Sequence, residues 1–217
     1  MAGTIVILHG WGSQLSRWRP LVAALGQKLS VVLPSLPQDK VRPTAAFAEW
    51  LNQTTNSLPP FILLGHSFGG QIAINFVARY PHRVKKLILI ASAGIRRPSL
   101  KARLLLPLAK ILKFMPDRLK QLAYRAIRET DYVNAGPMMR ETMNLILKED
   151  QQANMVKIKV PTLIIWGETD RYTPLKDGRL THELIKSSRF ILVRGGGHSL
   201  PFTHVQFLKE KILWFIK

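Results

Sequence analysis

Phe61-Ile62-Leu63-Leu64-Gly65-His66-Ser67-Phe68-Gly69-Gly70 is the stretch that decides the fold. Four apolar residues run into a turn in which glycines stand two positions either side of a serine. Residues 71–80 then carry the spacing of a helix, and Pro81 stops it. Strand, tight turn and helix in that order describe a G-x-S-x-G elbow, where the serine is held in a strained backbone and bulky neighbours would collide with it. The pentapeptide recurs by chance in unrelated chains, so its meaning comes from the strand before it and the helix after it.

Outward from the elbow, strands and helices alternate. Residues 4–8 form a β-branched, apolar run that ends at His9-Gly10-Trp11-Gly12, a strand stopped by a glycine turn. A helix is predicted over 15–28, a short strand over 30–33 closed by Pro34 and Pro37, and a helix over 44–57. Beyond the elbow, residues 86–92 read as a strand. An irregular, helix-rich stretch follows, then strands over 162–166 and 190–193, a helix over 174–186 between them and a helix to the C-terminus. Strands apolar on both faces and joined by helices imply an α/β fold: a mostly parallel sheet of about six strands with helices on both sides and right-handed crossovers. In such sheets function gathers at the carboxyl ends of the strands.

Ser67, Asp170 and His198 all fall at such ends. A serine hydroxyl is a poor nucleophile at neutral pH and needs a base beside it. Asp170 lies in Trp166-Gly167-Glu168-Thr169-Asp170-Arg171-Tyr172-Thr173-Pro174, a loop between a strand and a proline-opened helix. Glu168 and Asp177 are competing acids in the same region. His198 follows Gly195-Gly196-Gly197, a run that brings backbone close to a neighbouring segment. His204, in the next predicted helix, is its rival. The chain order Ser67, Asp170, His198 favours a nucleophile, an orienting acid and a general base.

His9-Gly10-Trp11-Gly12, Gly65-His66-Ser67-Phe68-Gly69-Gly70, Trp166-Gly167-Glu168-Thr169-Asp170 and Gly197-His198 occur in the order and spacing of α/β-hydrolase-superfamily serine esterases, which the chain resembles over nearly its whole length. It looks most like small carboxylesterases such as the pimeloyl-acyl-carrier methyl ester esterases, which also carry an HGWG segment and a GHSxGG elbow. The resemblance implies an oxyanion hole made by the backbone N–H groups of Trp11 and Phe68. A helix N-terminus at Phe68 suits that role, since its amides are unpaired and the dipole favours an anion. It also implies a trimmed fold in one domain over 1–217, because the sequence starts at the strand that is third in the family. A small helical cap is implied at about 95–155. Pro34-Ser35-Leu36-Pro37-Gln38 replaces the usual acidic, glycine-rich turn.

The chain carries 32 Lys and Arg against 13 Asp and Glu, a net charge of +19 that raises nucleic acid or an anionic membrane as partners. The excess concentrates in the cap: between Arg96 and Arg128 Asp117 is the only acid, among leucines that Pro107 and Pro116 divide into short amphipathic helices. Such a segment packs its apolar face over Ser67 or lies on an anionic membrane. Its charge makes it a poor receiver for a free amine, which argues against an aminopeptidase. No interleaved aromatics mark a nucleic-acid module, so no nucleic-acid partner is expected. With no cysteine there are no disulfides and no thiolate metal ligands. No signal core or membrane span opens the sequence, which makes the cytoplasm the expected compartment.

The expected activity is therefore carboxylic ester hydrolysis through an acyl-enzyme, without metal or cofactor, on a small-molecule ester with an apolar acyl chain. A lactonase or thioesterase on the same residues is the alternative, and a catalytically silent binding protein the alternative of a different class.

Overall fold

The computed structural model describes residues 3–96 and 136–217. Six strands form one sheet: β1 (Thr4–Leu8), β2 (Ser30–Val32), β3 (Phe61–His66), β4 (Val84–Ile90), β5 (Thr162–Gly167) and β6 (Ser188–Val193). Their spatial order is β2-β1-β3-β4-β5-β6, and every neighbouring pair is parallel. The order of the first three strands reverses the chain direction across the sheet at β1 and β3, which opens the crevice where an α/β sheet takes its ligands.

The strands sort their side chains by alternation. Val6, Leu8 and Leu63 belong to the apolar layer on one face, and Ile5, Ile7, Ile62 and Leu64 to the layer on the other. The first face is covered by α2 (Thr44–Thr54) and α3 (Phe68–Arg79), through Phe47, Leu51, Ile72 and Phe76. The second is covered by α1 (Arg19–Gly26), through Leu21 and Leu25, and by a C-terminal helix, through Leu208 and Ile212. Each such fully buried side chain contributes about 1.5–3 kcal/mol, so both faces are needed to hold the sheet.

Several boundaries differ from the expectation. The helix over 15–28 divides into a 3₁₀ turn at Leu15–Trp18 and α1, with Trp18 wholly buried at the junction. Helix α3 starts at Phe68, directly after the nucleophile candidate, because Gly69 and Gly70 are helical rather than part of a loop. Strand β4 begins at Val84, paired with Phe61 of β3, and β6 begins at Ser188, paired with Thr162 of β5. The sheet is wholly parallel among the described residues.

Of the expected cap at 95–155, residues 97–135 lie outside the described residues, and with them the basic amphipathic run. Its return is described: α4 (Pro137–Ile146) and the single turn α5 (Gln152–Met155). The entry and exit of this insertion meet, since Gln151 N–H donates to Gly94 O at 2.8 Å and Arg96 N–H to an Asp150 carboxylate oxygen at 3.0 Å. Asn75 of α3 also reaches Gln151, and Gln71 reaches the carbonyl of Ile146, so the exit is tied to the helix that follows Ser67. The remaining helices are α6 (Leu175–Leu184), the short α7 (Leu200–Thr203) and α8 (Val205–Ile216). His204 stands between α7 and α8 instead of within a helix.

Candidate active site

Ser67 occupies φ 53°, ψ −120°, a region that a residue with a Cβ rarely takes. Its surroundings over-determine that conformation. Its N–H donates to Ile90 O at 3.2 Å, and its carbonyl accepts from Gly70 N at 2.9 Å and Ala93 N at 2.9 Å. The turn is possible because α3 packs directly on β1: a Cβ on Gly69 would lie 2.1 Å from Leu8 O, and one on Gly65 would lie 2.6 Å from Gly69 O. The loop after β1 crosses the same point, since a Cβ on Gly10 would meet Ser67 Cβ at 3.1 Å.

That approach brings Trp11 beside the elbow, its ring edge on to Phe68 at 5.4 Å between centroids. Among the described residues neither the Trp11 nor the Phe68 backbone N–H donates a hydrogen bond. Among the described residues the buried indole N–H of Trp11 has no partner either. Buried N–H groups are seldom left unpaired, which sets the indole of Trp11 apart from the rest of the core.

His198 and Asp170 come together from the loops after β6 and β5. His198 Nδ1 lies 2.8 Å from Asp170 Oδ2, which places the ring proton on Nδ1 and leaves the Nε2 lone pair free. Asp170 is 6% exposed and its acceptors are filled. Oδ1 accepts from Tyr172 N at 2.8 Å and Thr173 N at 2.9 Å, and Oδ2 accepts from Thr173 Oγ1 at 2.8 Å. Burial pushes the Asp170 carboxyl up, but the hydrogen bond and charge of His198 and the donors from Thr173 outweigh it, so its pKa lies below the ordinary carboxylate range. The rival acids sit elsewhere. Glu168 accepts from Gly195 N at 2.9 Å and braces the glycine turn, while Asp177 lies in the first turn of α6. The rival His204 engages Thr203. No hydrogen bond joins Ser67 Oγ to His198 among the described residues, a contact that commonly tightens only with substrate present.

Three residues take part that the sequence alone had not singled out. His66, wholly enclosed beneath the elbow, donates from Nε2 to His198 O at 2.9 Å, with the two rings 4.9 Å apart. Burial, reinforced by the neighbouring His198, lowers its pKa to about 3, so it is neutral and its tautomer is set by that bond. Thr173 shares one hydroxyl proton between Asp170 and Ala91 O. Asp170-x-x-Thr173 before a helix is an Asx-type turn signal that could have found it. Tyr172, 68% exposed, lies with its ring 5.1 Å from that of His198 at the mouth. The proline-rich loop after β2 also returns here: Leu36 N–H donates to His9 Nε2 at 3.3 Å, and Leu36 is buried.

Residues 5–209 match the alpha/beta hydrolase family. The chain belongs to it. Among similar proteins, the pimeloyl-[acyl-carrier protein] methyl ester esterase of Aeromonas hydrophila is 26% identical over 246 residues, covering 98% of this chain and 94% of that one. The 2-hydroxy-6-oxononadienedioate/2-hydroxy-6-oxononatrienedioate hydrolase of Cupriavidus pinatubonensis is 25% identical over 252 residues, covering 99% and 87%. The enol-lactonase of Burkholderia xenovorans LB400 superposes with a TM-score of 0.78 at 21% identity, covering all of this chain and 92% of that one, a likeness of fold. This α/β-hydrolase therefore has the family's hydrolytic character and its parallel sheet. Among the described residues no helix is long and apolar enough to cross a membrane.

Proposed function

We propose that this α/β-hydrolase is a carboxylic ester hydrolase in which Ser67 is the nucleophile, His198 the general base and Asp170 the residue that orients His198. The observation that carries the reading is the 2.8 Å contact between His198 Nδ1 and Asp170 Oδ2 beside a serine held at positive φ. With the proton on Nδ1, the Nε2 lone pair takes the proton of Ser67 Oγ as that oxygen attacks the ester carbonyl. The oxyanion is received by the unpaired N–H groups of Trp11 and Phe68, each such donor being worth about 2.7–4 kcal/mol. The imidazolium then gives its proton to the leaving alcohol, and an acyl group remains on Ser67. Water, deprotonated by His198, attacks the acyl-enzyme and releases the carboxylic acid. The chemistry needs no metal or cofactor.

Similarity to a methyl ester esterase supports a small-molecule ester as substrate, and the insertion over 95–155 supports a cap that walls an apolar acyl site. Lactones and thioesters present the same carbonyl to the same residues and rank as alternatives. Turnover of p-nitrophenyl esters of short and long acyl chains tests the reading, with a lactone and an acyl thioester beside them. Wild type is expected to hydrolyse esters with a rate that Ser67→Ala lowers by about 10⁶. A wild type inert toward all of them, or a Ser67→Ala variant equally fast, would leave a silent binding protein as the better description.

A further inference from the structure

The end of the sheet opposite Ser67 carries an unbalanced charge that ester hydrolysis does not use. Residues 27–29, 58–60, Pro81–Arg83, 159–161 and 185–187 lead into β2, β3, β4, β5 and β6 and contain no Asp or Glu. With the first residues of β4 and β6 and the end of α8 they bring Lys28, Arg83, Lys85, Lys86, Lys159, Lys186, Arg189 and Lys217 to one face. The nearest acids along the chain are Glu183, in the last turn of α6, and Glu210 of α8, which accepts from Gln206, with Asp150 and Asp39 farther off. Among the described residues none of the eight cations is ion-paired.

A cavity of about 480 Å³ opens on the β4, β5 and β6 side of this face, lined by Pro161, Trp214 and Phe215 together with Lys86, Arg189 and Lys217. Lys86 is fixed there: its ammonium donates to Phe215 O at 2.7 Å and lies 5.3 Å from the ring centroid of Phe215, with two further N–H donors to spare. The guanidinium of Arg189 lies 5.2 Å from the centroid of Trp214, whose side chain remains 49% exposed. Each ring thus already has a cation beside it. The exposed part of this surface is a half-exposed amphipathic indole beside cations, the pairing that seats proteins at a bilayer interface.

We propose that this face docks on an anionic lipid bilayer, with a headgroup phosphate in the cavity beside Lys86 and Arg189 and Trp214 at headgroup depth. The cations lie on one surface, so they act on a flat array of charge together and within a Debye length. Docked in this way, the enzyme turns the carboxyl ends of its strands away from the lipid, about 20 Å from it by strand length. Ser67 then opens to water and takes substrate from the aqueous phase. This orientation is the reverse of docking through the basic cap, which is inserted after the carboxyl end of β4. The inference does not depend on the ester reading, because its test reads binding.

Sedimentation of the full chain with phosphatidylcholine vesicles, and with vesicles in which part of that lipid is phosphatidylglycerol, tests it at low and physiological salt. Wild type is expected to pellet with the anionic vesicles alone and to be released as salt rises. Charge reversal at exposed positions, Lys85→Glu with Lys159→Glu and Lys186→Glu, is expected to weaken binding at least about a hundredfold while leaving ester turnover unchanged. Trp214→Ala is expected to weaken it further without altering retention of a short DNA duplex. Three outcomes overturn the proposal: equal binding to neutral vesicles, full binding by the triple variant, or loss of binding only when Lys101, Lys110 and Lys113 of the cap are reversed. DNA retention stronger than vesicle binding and sensitive to Trp214→Ala would assign the face to nucleic acid instead.

Discussion

At the carboxyl ends of β3, β5 and β6, polar groups are buried and held in fixed geometry, whereas at the amino ends of β4, β5 and β6 lysines stand in water with no carboxylate partner among the described residues. Asp170 accepts from three residues, and His66 is enclosed with one proton committed to His198. Lys85, Lys159 and Lys186 are exposed. One sheet therefore supports a region where a small displacement leaves a buried group unpaired, beside another where the side chains act through net charge and individual positions are interchangeable. The strain at Ser67 belongs to the first region, since only a packed and hydrogen-bonded surround keeps a non-glycine residue at positive φ.

The contrast can be broken most sharply at Asp170. Asp170→Asn leaves the shape but favours the wrong tautomer of His198, and kcat is expected to fall by about 10⁴. If the rate stays within tenfold of wild type, another carboxylate orients the base. Gly69→Ala probes the packing beneath: the new Cβ meets Leu8 O, and a loss of about 4 kcal/mol is expected in urea unfolding. A variant as stable as wild type would mean that α3 does not press on β1 as described.

His66 supplies a smaller effect with a defined pH range. Its pKa is about 3 in the folded chain against 6.5 when released, so between those values the unfolded chain binds the extra proton and acid favours unfolding. Stability is full above about pH 6.5 and falls on acidification by up to about 1.4 kcal/mol per pH unit. His66→Gln keeps an N–H donor and does not titrate, so its unfolding free energy should change less between pH 6.5 and about 5. An unaltered slope would assign the dependence to other groups, such as His9, whose pKa burial also lowers. At the far end of the sheet, Lys159→Ala and Lys186→Ala singly are expected to shift stability by less than about 0.5 kcal/mol and leave kcat as it was. A larger loss from either would show that the amino end is also a packed site.

Much of the first region was legible because its signals are local. The elbow, the glycine run before His198 and the apolar strands can each be read within ten residues. What was not legible depends on partners distant in the chain. Val84-Lys85 does not look like the start of a strand, yet pairing with β3 extends β4 back to it. Gly69-Gly70 looks like part of the turn, since glycine is a poor helix former, yet at Gly69 only glycine leaves room for β1. The link from His66 to His198 spans 132 positions.

The sequence by itself determined a parallel α/β sheet and the chain order of Ser67, Asp170 and His198, because hydrophobic period and glycine turns act between near neighbours. Only the tertiary structure decided that His198 faces Asp170 rather than Glu168, and that His66 supports it from below. It also gathered eight scattered cations into one face. Those outcomes follow from strand order, which brings residues a hundred positions apart within hydrogen-bond reach and which no local pattern encodes.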